Sequence, residues 1–449
     1  MAAVVKRLAV FAYLDDDWVP AGLLEMTEDG VSLQASSFAY GLRYLGRPNA
    51  IEIDPVSLGL ARKDEIRGKM NFPVGGLTQF GGIRDAAPDA WGRRVIEAKL
   101  RAKANALPES TYLLHAGSQR IGALDVRESL DTPPGPQTGN GLLNLEYLVN
   151  SAARIEEGET VPAELEAIFV QGSGLGGARP KATVRDDDGV LWLAKFPSLG
   201  DRLNLTVIEE ATLRLAARCG IRVPPTRIVD AGTRQVMLIR RFDRYWTHPE
   251  FDTVRGDDAL YLPPRAGTTE RRLPFASALT LVGCSEMESM AKSYQDVAHA
   301  IRQHGHIDAI RTDNRELFKR MVFNILVSND DDHLRNHGFI HDPRLPGWRL
   351  SPLYDVLPRP SSAHERYLHL GIGPQGRLAT LDNAFDARDA FGLSKTDAGL
   401  AIAEVWQPTR EWKTWFEERG VPGKEIDNIA PAFRHIDDVS HSTLRKALP

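Results

Sequence analysis

The segment 323–356 constrains this chain more than any other part of the sequence. Apolar residues recur at helical spacing before and into it, and they predict a helix that ends near Ser328. A polar run follows, in which three carboxylates precede a histidine and an asparagine: Asp330, Asp331, Asp332, His333 and Asn336. Two short strands, 337–340 and 348–350, are predicted around a Pro-Gly turn, and they lead to Asp355.

The spacing within this segment predicts a phosphotransferase loop. Protein kinases place an asparagine five residues after the catalytic aspartate, and Asp331 and Asn336 are also five residues apart. One carboxylate can then receive the proton of an attacking hydroxyl while the amide oxygen and Asp355 hold magnesium. The alternative is a solvated acidic turn, since Asn and Asp favour turns. The loop alone supports both interpretations equally.

Composition excludes several other classes of protein. The 449 residues carry a formal charge of −5, which argues against an extended nucleic-acid-binding surface. The only cysteines, Cys219 and Cys284, exclude a disulfide framework and a thiolate metal cluster, and we expect both to be buried. No apolar stretch approaches the roughly 18 residues of a membrane span, and the apolar run at the N-terminus is too short for a signal peptide. We expect a soluble cytoplasmic protein.

The chain before this segment divides into recognisable parts. Residues 1–125 predict a small α/β module of three strands and a helix over 90–103, which Asp89 caps. The Pro- and Gly-rich stretch 131–141 predicts a linker, and the poorly patterned stretch 246–272 predicts an insertion or loop.

A glycine-rich stretch, 171–181, opens into a predicted hairpin. Its glycines would let backbone N–H groups approach phosphates, although a flexible turn is the commoner meaning of such a stretch. The second strand of the hairpin carries Lys195 in an apolar run, where a buried lysine requires a partner. That partner could be Glu209 or Glu210 on the next predicted helix, and a solvated position is the alternative for all three. The segment 240–244 would form a hinge beneath an adenine.

In this order the parts resemble the HipA family of serine/threonine kinase toxins from bacterial toxin–antitoxin operons, over nearly the whole chain. Motifs at six places carry the resemblance: Gly-Gly-Ala-Arg-Pro-Lys at 176–181, Ala-Lys-Phe-Pro around Lys195, Gly-Ile-Arg-Val-Pro at 220–224, Arg-Phe-Asp-Arg at 241–244, the run 329–336, and Pro-Leu-Tyr-Asp-Val at 352–356. The N-terminal run 84–93 also looks like the small subdomain of that family.

The resemblance implies an α/β (α+β) fold that is bilobal and protein-kinase-like. Its parts would be an N-terminal subdomain (1–125), an N-lobe-like region with the glycine-rich loop (126–245) and a mostly helical C-terminal lobe (246–449). ATP and Mg²⁺ would be the cofactors.

The resemblance also implies a role for each matching residue. Asp331 would be the catalytic base, Asn336 and Asp355 the metal ligands, and His333 a brace of the loop. Lys195 would hold the phosphates and pair with Glu209 rather than Glu210. The remaining nucleotide contacts would come from the glycine-rich loop and the hinge: Gly174, Gly176, Gly177, Ala178, Lys181, Arg240 and Phe242.

Family members act with a helix-turn-helix antitoxin of the HipB type, through which they reach DNA, and phosphorylate translation components such as an aminoacyl-tRNA synthetase. Two positions depart from the family pattern. Gly174 stands where a serine can be autophosphorylated, with Ser173 one residue earlier, and Arg240 stands where a glutamate is expected. The alternatives are a small-molecule kinase of the aminoglycoside-phosphotransferase type and a catalytically silent co-repressor.

Overall fold

The computed structural model describes residues 3–135, 140–141, 145–159, 177–251, 253, 256–345 and 347–449. The chain forms two compact units, and each is made of two stretches of sequence. The first unit is Met1–Gly200 with Val229–Gly283, and the second is Asp201–Ile228 with Cys284–Pro449. The division at 125 and 245 expected from the sequence stays a prediction. None of the helices in these described ranges is long and apolar enough to cross a membrane.

The strands are β1 (Val4–Leu14), β2 (Asp17–Asp29), β3 (Ser32–Tyr40), β4 (Leu124–Arg127), β5 (Asn140–Gly141), β6 (Lys181–Arg185), β7 (Leu191–Lys195), β8 (Thr226–Ala231), β9 (Arg234–Arg240), β10 (Arg244–Trp246), β11 (Glu270–Arg272), β12 (Phe275–Ser277), β13 (Gly338–His341) and β14 (Trp348–Leu350). The helices are α1 (Leu42–Leu45), α2 (Lys63–Ile66), α3 (Gly81–Asp85), α4 (Ala90–Leu100), α5 (Glu109–His115), α6 (Leu145–Glu156), α7 (Leu205–Arg218), α8 (Ala278–Leu281), α9 (Tyr294–His304), α10 (Ile307–Val327), α11 (Leu381–Asp386), α12 (Lys395–Thr409), α13 (Trp412–Glu418), α14 (Gly423–Ile429), α15 (Ile436–Val439) and α16 (Ser442–Ala447).

The N-terminal part of the first unit is built on an antiparallel sheet of order β3-β2-β1-β4. Asp15, in the turn between β1 and β2, has a positive φ of 56°, a conformation that Asp tolerates in tight turns. The sheet buries one apolar core with the segments that follow it, through residues such as Val10, Leu24 and Phe38. The three strands predicted for the N-terminal part of the chain are therefore confirmed.

A second sheet in the same unit contains the strands β5-β6-β7-β9, with β5 parallel to β6 and the others antiparallel. Helix α6 buries its apolar face against this sheet in one cluster with Val184 and Leu238. Trp91 and Val95 from α4 belong to the same cluster, so the N-terminal module shares a core with this sheet. This shared core explains why the two parts fold as one unit.

The second unit is mostly helical, as its sequence predicts. The 21-residue helix α10 is its central element, because nearly every residue in its C-terminal two thirds is buried. Such a helix has no solvated face and must be surrounded by neighbours. Strands β13 and β14 pair antiparallel after it, close to the positions predicted.

The prediction that 246–272 is an insertion or loop is wrong in part. Arg244–Trp246 pairs antiparallel with Glu270–Arg272, and a 3-10 helix covers Gly256–Tyr261. The two strands have three residues each, too short for an alternating pattern to be read from the sequence. Cys219 and Cys284 are buried, as predicted.

Candidate active site

The loop after α10 begins with a sharp change of chain direction. Ser328 adopts a left-handed conformation, with φ of 52°, and its N–H donates to the Asn324 carbonyl. The Ser328 hydroxyl donates to the Ala432 carbonyl at 2.6 Å, and the Asn329 amide donates to the Asn324 side-chain oxygen at 3.1 Å. These contacts fix the point from which the three aspartates start.

The three consecutive aspartates have different surroundings. Asp330 and Asp331 are half exposed, and both pair with Arg359, whose Nε lies 3.2 Å from Asp330 Oδ1 and whose Nη2 lies 2.6 Å from Asp331 Oδ2. Asp332 is completely buried. Asp331 is therefore accessible to a substrate hydroxyl, provided that the hydroxyl displaces Arg359.

Asp332 accepts three hydrogen bonds on Oδ2 inside the unit. The donors are the Tyr294 hydroxyl, Asn324 Nδ2 at 2.7 Å and His337 Nε2 at 2.9 Å. Burial raises the pKa of Asp332, but the charge and hydrogen bond of His337 and the bond from Tyr294 outweigh burial, so the pKa lies below its ordinary value. The carboxylate thus ties the loop to α9 and α10.

The residues after Asp332 close a turn that brings two predicted site residues together. The His333 N–H donates to the Asp331 carbonyl at 2.8 Å, and the Asn336 N–H donates to the His333 carbonyl at 2.9 Å. Asn336 Nδ2 also donates to the Asp331 carbonyl at 3.0 Å. The amide nitrogen is occupied in this way, so Oδ1 is the Asn336 atom suited to a metal. The His333 ring packs edge-on against His369.

Asp355 follows β14 in an unusual backbone conformation. Its φ is 59°, which few non-glycine residues adopt and which is concentrated at functional sites. The neighbouring Tyr354 donates its hydroxyl to the Arg335 carbonyl at 2.7 Å. The segment that carries Asp355 is therefore bonded to the loop that carries Asn336.

The predicted metal ligands suit magnesium by their chemistry. Among the described residues, no group of three or more His, Cys, Asp or Glu side chains is placed to hold a metal ion. Magnesium does not require such a group, because it prefers oxygen ligands and commonly takes one or two from the protein and the rest from phosphates and water. One amide oxygen and one carboxylate, from Asn336 and Asp355, fit that pattern.

Two lysines of the first unit lie on the hairpin that follows the glycine-rich stretch. Lys181 and Lys195 are directly paired on β6 and β7, and both are buried. Lys181 Nζ lies 2.7 Å from Asp89 Oδ2 and donates to the Gly177 carbonyl at 2.9 Å. Gly177 and Ala178 are exposed. The predicted contacts of Gly174 and Gly176, and the position of Ser173, lie outside the described residues.

The predicted hinge, 240–244, makes several contacts within the first unit. The Arg240 guanidinium donates to the carbonyls of Tyr261 and Leu262 at 2.8 and 2.9 Å. The Arg241 backbone N–H donates to the Leu191 carbonyl. The Phe242 ring packs near Phe275, with centroids 6.2 Å apart. The adenine contact of Arg240 and Phe242 stays a prediction.

The Arg-Phe-Asp-Arg motif also has a structural function that the sequence did not reveal. Arg241 and Arg244 both lie 2.6 Å from Asp243 Oδ2, and all three side chains are buried. Asp243 accepts from the Gly122 N–H at 2.7 Å, and Arg244 donates to the Arg120 carbonyl at 3.0 Å. Burial raises the pKa of Asp243, and the two guanidinium groups more than offset that effect. The motif thus binds the N-terminal module.

The two candidate glutamates are neighbours on α7. Both are buried, but the Glu210 carboxylate pairs with Arg419 at 2.6 Å and accepts from the Thr226 hydroxyl at 3.0 Å. The Glu210 carboxylate therefore bonds to residues of the second unit, to which it belongs itself. The choice of Glu209 as the functional glutamate stays a prediction.

Sequence reasoning missed several residues that shape the site: Asp89, Tyr294, Asn324, Asp332, His337 and Arg359. Asp332 stands inside the predicted motif, but nothing in a single sequence separates its buried side chain from its exposed neighbours. Asn324 and His337 lie in the same segment, but nothing in the sequence shows that their side chains point to Asp332. The others lie farther along the chain. The helix cap at Asp89 was predicted, and it is confirmed by the hydrogen bond that the Gly92 N–H donates to Asp89 at 2.7 Å. The pairing of Asp89 with Lys181 was not predicted.

Nearly the whole chain has the fold of a solved toxin–antitoxin protein. HipA of Shewanella oneidensis MR-1, whose structure was solved in a complex of HipA, HipB and operator DNA, matches with a TM-score of 0.64 and 16% identity. The match covers 95% of this chain and 94% of that one. The mixed α/β fold class expected from the sequence is thereby confirmed.

Sequence relatives give the family. A model of the HipA-like C-terminal domain matches residues 173–412, more than half of the chain, and the chain belongs to this family. A Haemophilus influenzae protein named "Putative kinase" is 27% identical over 296 residues, which are 59% of this chain and 80% of that protein. A Sinorhizobium fredii protein that is also named a "Putative kinase" is 25% identical over 218 residues, 47% of this chain and 44% of that protein.

Proposed function

We propose that this chain transfers the γ-phosphoryl group of ATP to a serine or threonine hydroxyl of a protein. The observation that carries the proposal is the loop in which an exposed Asp331 is bonded, through its own carbonyl, to Asn336. A kinase needs a base that the substrate can reach beside a metal ligand held in fixed register. Membership of the HipA-like family supports the same conclusion.

Each predicted residue has one task in the proposed reaction. Asp331 accepts the proton of the attacking hydroxyl, and Lys195 holds the phosphates. Asn336 and Asp355 would hold magnesium, which when bound neutralises charge on the phosphates. Glu209 would keep Lys195 in position.

We further propose that the chain is the toxin of a toxin–antitoxin pair. The structural neighbour from Shewanella was solved with HipB and operator DNA, which supports a helix-turn-helix antitoxin as partner. DNA would be reached only through that antitoxin. The substrate would be a translation component such as an aminoacyl-tRNA synthetase, by resemblance to the family.

Replacing Asp355 by Asn tests the proposal. Asn tolerates the left-handed backbone at this position and keeps one oxygen, so the variant removes the charge without straining the backbone. We expect protein labelling from radioactive ATP to fall about a hundredfold, the scale of losing one group that stabilises the transferred phosphate. The purified proteins would be incubated with lysate, with magnesium or with EDTA, and growth would be followed after induced expression.

The outcomes separate the candidate functions. The kinase-toxin function is supported if only the wild type labels a protein band in the presence of magnesium and only the wild type arrests growth. Equal arrest by both proteins without any labelling would mean a silent binding protein. Labelling confined to a small molecule would point to a kinase of the aminoglycoside-phosphotransferase type.

The two glutamates of α7 give a second test. Glu209→Gln is expected to lower kcat/KM about tenfold to a hundredfold, because a charge-assisted hydrogen bond contributes about 1.5–3 kcal/mol and about 1.4 kcal/mol equals a factor of ten. Glu210→Gln is the matched control. It removes the charge that pairs with Arg419, while the remaining amide oxygen can still accept from Thr226, and it should cost about 1–3 kcal/mol of unfolding free energy with kcat/KM retained. If kcat/KM falls in Glu210→Gln and is retained in Glu209→Gln, Glu210 would be the glutamate that acts in the reaction.

A further inference from the structure

We propose that Asp89, in the N-terminal module, is a positioning residue for the nucleotide site and acts through Lys181. This inference rests on the proposed ATP-dependent function, because it concerns how that site is held. Asp89 precedes α4, and it is more than 80 residues from the glycine-rich stretch in sequence. Its carboxylate nevertheless reaches the end of that stretch.

The two oxygens of Asp89 have separate partners. Oδ1 accepts from the Gly92 N–H at 2.7 Å and caps α4, while Oδ2 lies 2.7 Å from Lys181 Nζ. The Lys181 side chain is 2% exposed and that of Asp89 is 8% exposed. A buried lysine is tolerated when its charge is paired and its donors are used. Asp89 therefore supplies the opposite charge that a buried ammonium group at this position requires.

Trp91 adds two further contacts from the same helix. Its indole N–H donates to the Lys181 carbonyl at 2.9 Å, and its backbone N–H approaches the Gly177 carbonyl at 3.4 Å. The Gly177 carbonyl also accepts from Lys181 Nζ. The first turn of α4 thus holds both ends of the segment 177–181. We call these four residues, Asp89, Trp91, Gly177 and Lys181, the loop anchor.

Gly177 shows how closely the loop anchor is packed. Its φ is 97°, in the region that favours glycine, and a Cβ at this position would lie 3.1 Å from Lys181 Nζ. The backbone therefore approaches the ammonium group at a distance that a side chain would disturb. Gly177 and Lys181 both belong to the glycine-rich stretch 171–181, so the loop anchor holds the C-terminal part of that stretch against α4.

The loop anchor is connected to the phosphate-binding lysine by strand register. Lys181 on β6 is directly opposite Lys195 on β7, and side chains of opposed residues project to the same face of a sheet. Like charges in this arrangement destabilise each other. Asp89 neutralises Lys181, and in doing so it reduces the repulsion on Lys195. Loss of the Asp89 charge should therefore disturb Lys195 and weaken nucleotide binding.

The variant Asp89→Asn removes the charge while an Asn side chain still caps the helix. We expect the KM for ATP to rise about tenfold, equivalent to about 1.4 kcal/mol, with kcat changed less than about threefold. The Kd of Mg·ATP, measured by calorimetry on the full chain, should rise with KM. Glu109→Gln is the control, because it breaks the Arg93–Glu109 pair of 2.7 Å in the same module without touching the loop anchor.

A double-mutant cycle with Lys181→Met tests whether Asp89 acts through Lys181. If it does, Asp89→Asn has little further effect on the Kd once Lys181 is replaced. If the effects of Asp89→Asn and Lys181→Met on the Kd multiply in the double variant, the inference is wrong. An unchanged KM in Asp89→Asn, or an equal rise in KM in Glu109→Gln, would also overturn it. Trp91→Phe removes the bond to the Lys181 carbonyl and provides a second variant should Asp89→Asn fail to fold, with the same rise in KM expected.

The same calorimetry distinguishes this inference from the proposed function. If wild type fails to bind Mg·ATP, the proposed function is wrong and the inference is wrong with it. If wild type binds Mg·ATP and Asp89→Asn binds it equally well, only the inference is wrong.

Discussion

Replacing Asp331 by Ala is expected to reduce phosphoryl transfer about a thousandfold, within the range that a positioned general base contributes. The loss should appear in kcat, because Asp331 would act on the hydroxyl only as its proton leaves and does not hold ATP. Stability should change little. The Asp331–Arg359 pair is half exposed, and such pairs contribute about 0–1 kcal/mol.

Asp330→Ala is the matched control for this prediction. Asp330 is adjacent, has the same exposure and pairs with the same Arg359. Its replacement should leave kcat within about threefold of wild type, since a surface ion pair alone carries little energy. The measurement is single-turnover transfer from labelled ATP, with urea unfolding of each variant. Equal losses in the two variants would show that Arg359, and not a base at Asp331, determines the rate.

The fold was largely predictable because its signals are local. The strands of the N-terminal module, the cap at Asp89, the hairpin that ends at Lys195 and the apolar α10 each follow from periodicity or from a single turn. The three-residue strands β10 and β11 were missed because their pairing brings together Trp246 and Glu270, which are distant in the chain. Short strands are decided by tertiary pairing rather than by pattern.

The sequence indicated candidate residues for the site, but it did not indicate the residues that hold them in place. The spacing of Asp331 and Asn336 indicated a catalytic loop, and the structure joins these residues through one carbonyl. Nothing in the sequence showed that Asp332 would turn inward while its two neighbours stay in solvent. Such supports depend on helices packed around the loop, here α9 and α10, and a single sequence does not specify that packing.

Replacing the buried Asp332 by Ala is expected to lower the free energy of unfolding by about 3–5 kcal/mol, the usual cost of removing one partner from a buried charged cluster. The Tyr294 hydroxyl, Asn324 Nδ2 and His337 Nε2 would all lose their acceptor in the interior. Asp332→Asn keeps one oxygen and should cost less, about 1–3 kcal/mol. Both variants should lose kcat, because the adjacent Asp331 depends on this attachment for its position.

The pH dependence gives an independent check on the same carboxylate. The pKa of Asp332 lies below its ordinary value of 3.8 in the folded chain, so the ionised group stabilises the fold above that value. This stabilisation is lost as pH falls through the lowered pKa, and the advantage of wild type over Asp332→Asn should shrink below about pH 4. Urea unfolding from pH 7 to pH 3 measures this difference, with Asp331→Ala as the neighbouring control. A constant difference across that range, or equal losses in the Asp331 and Asp332 variants, would contradict a buried, ionised Asp332.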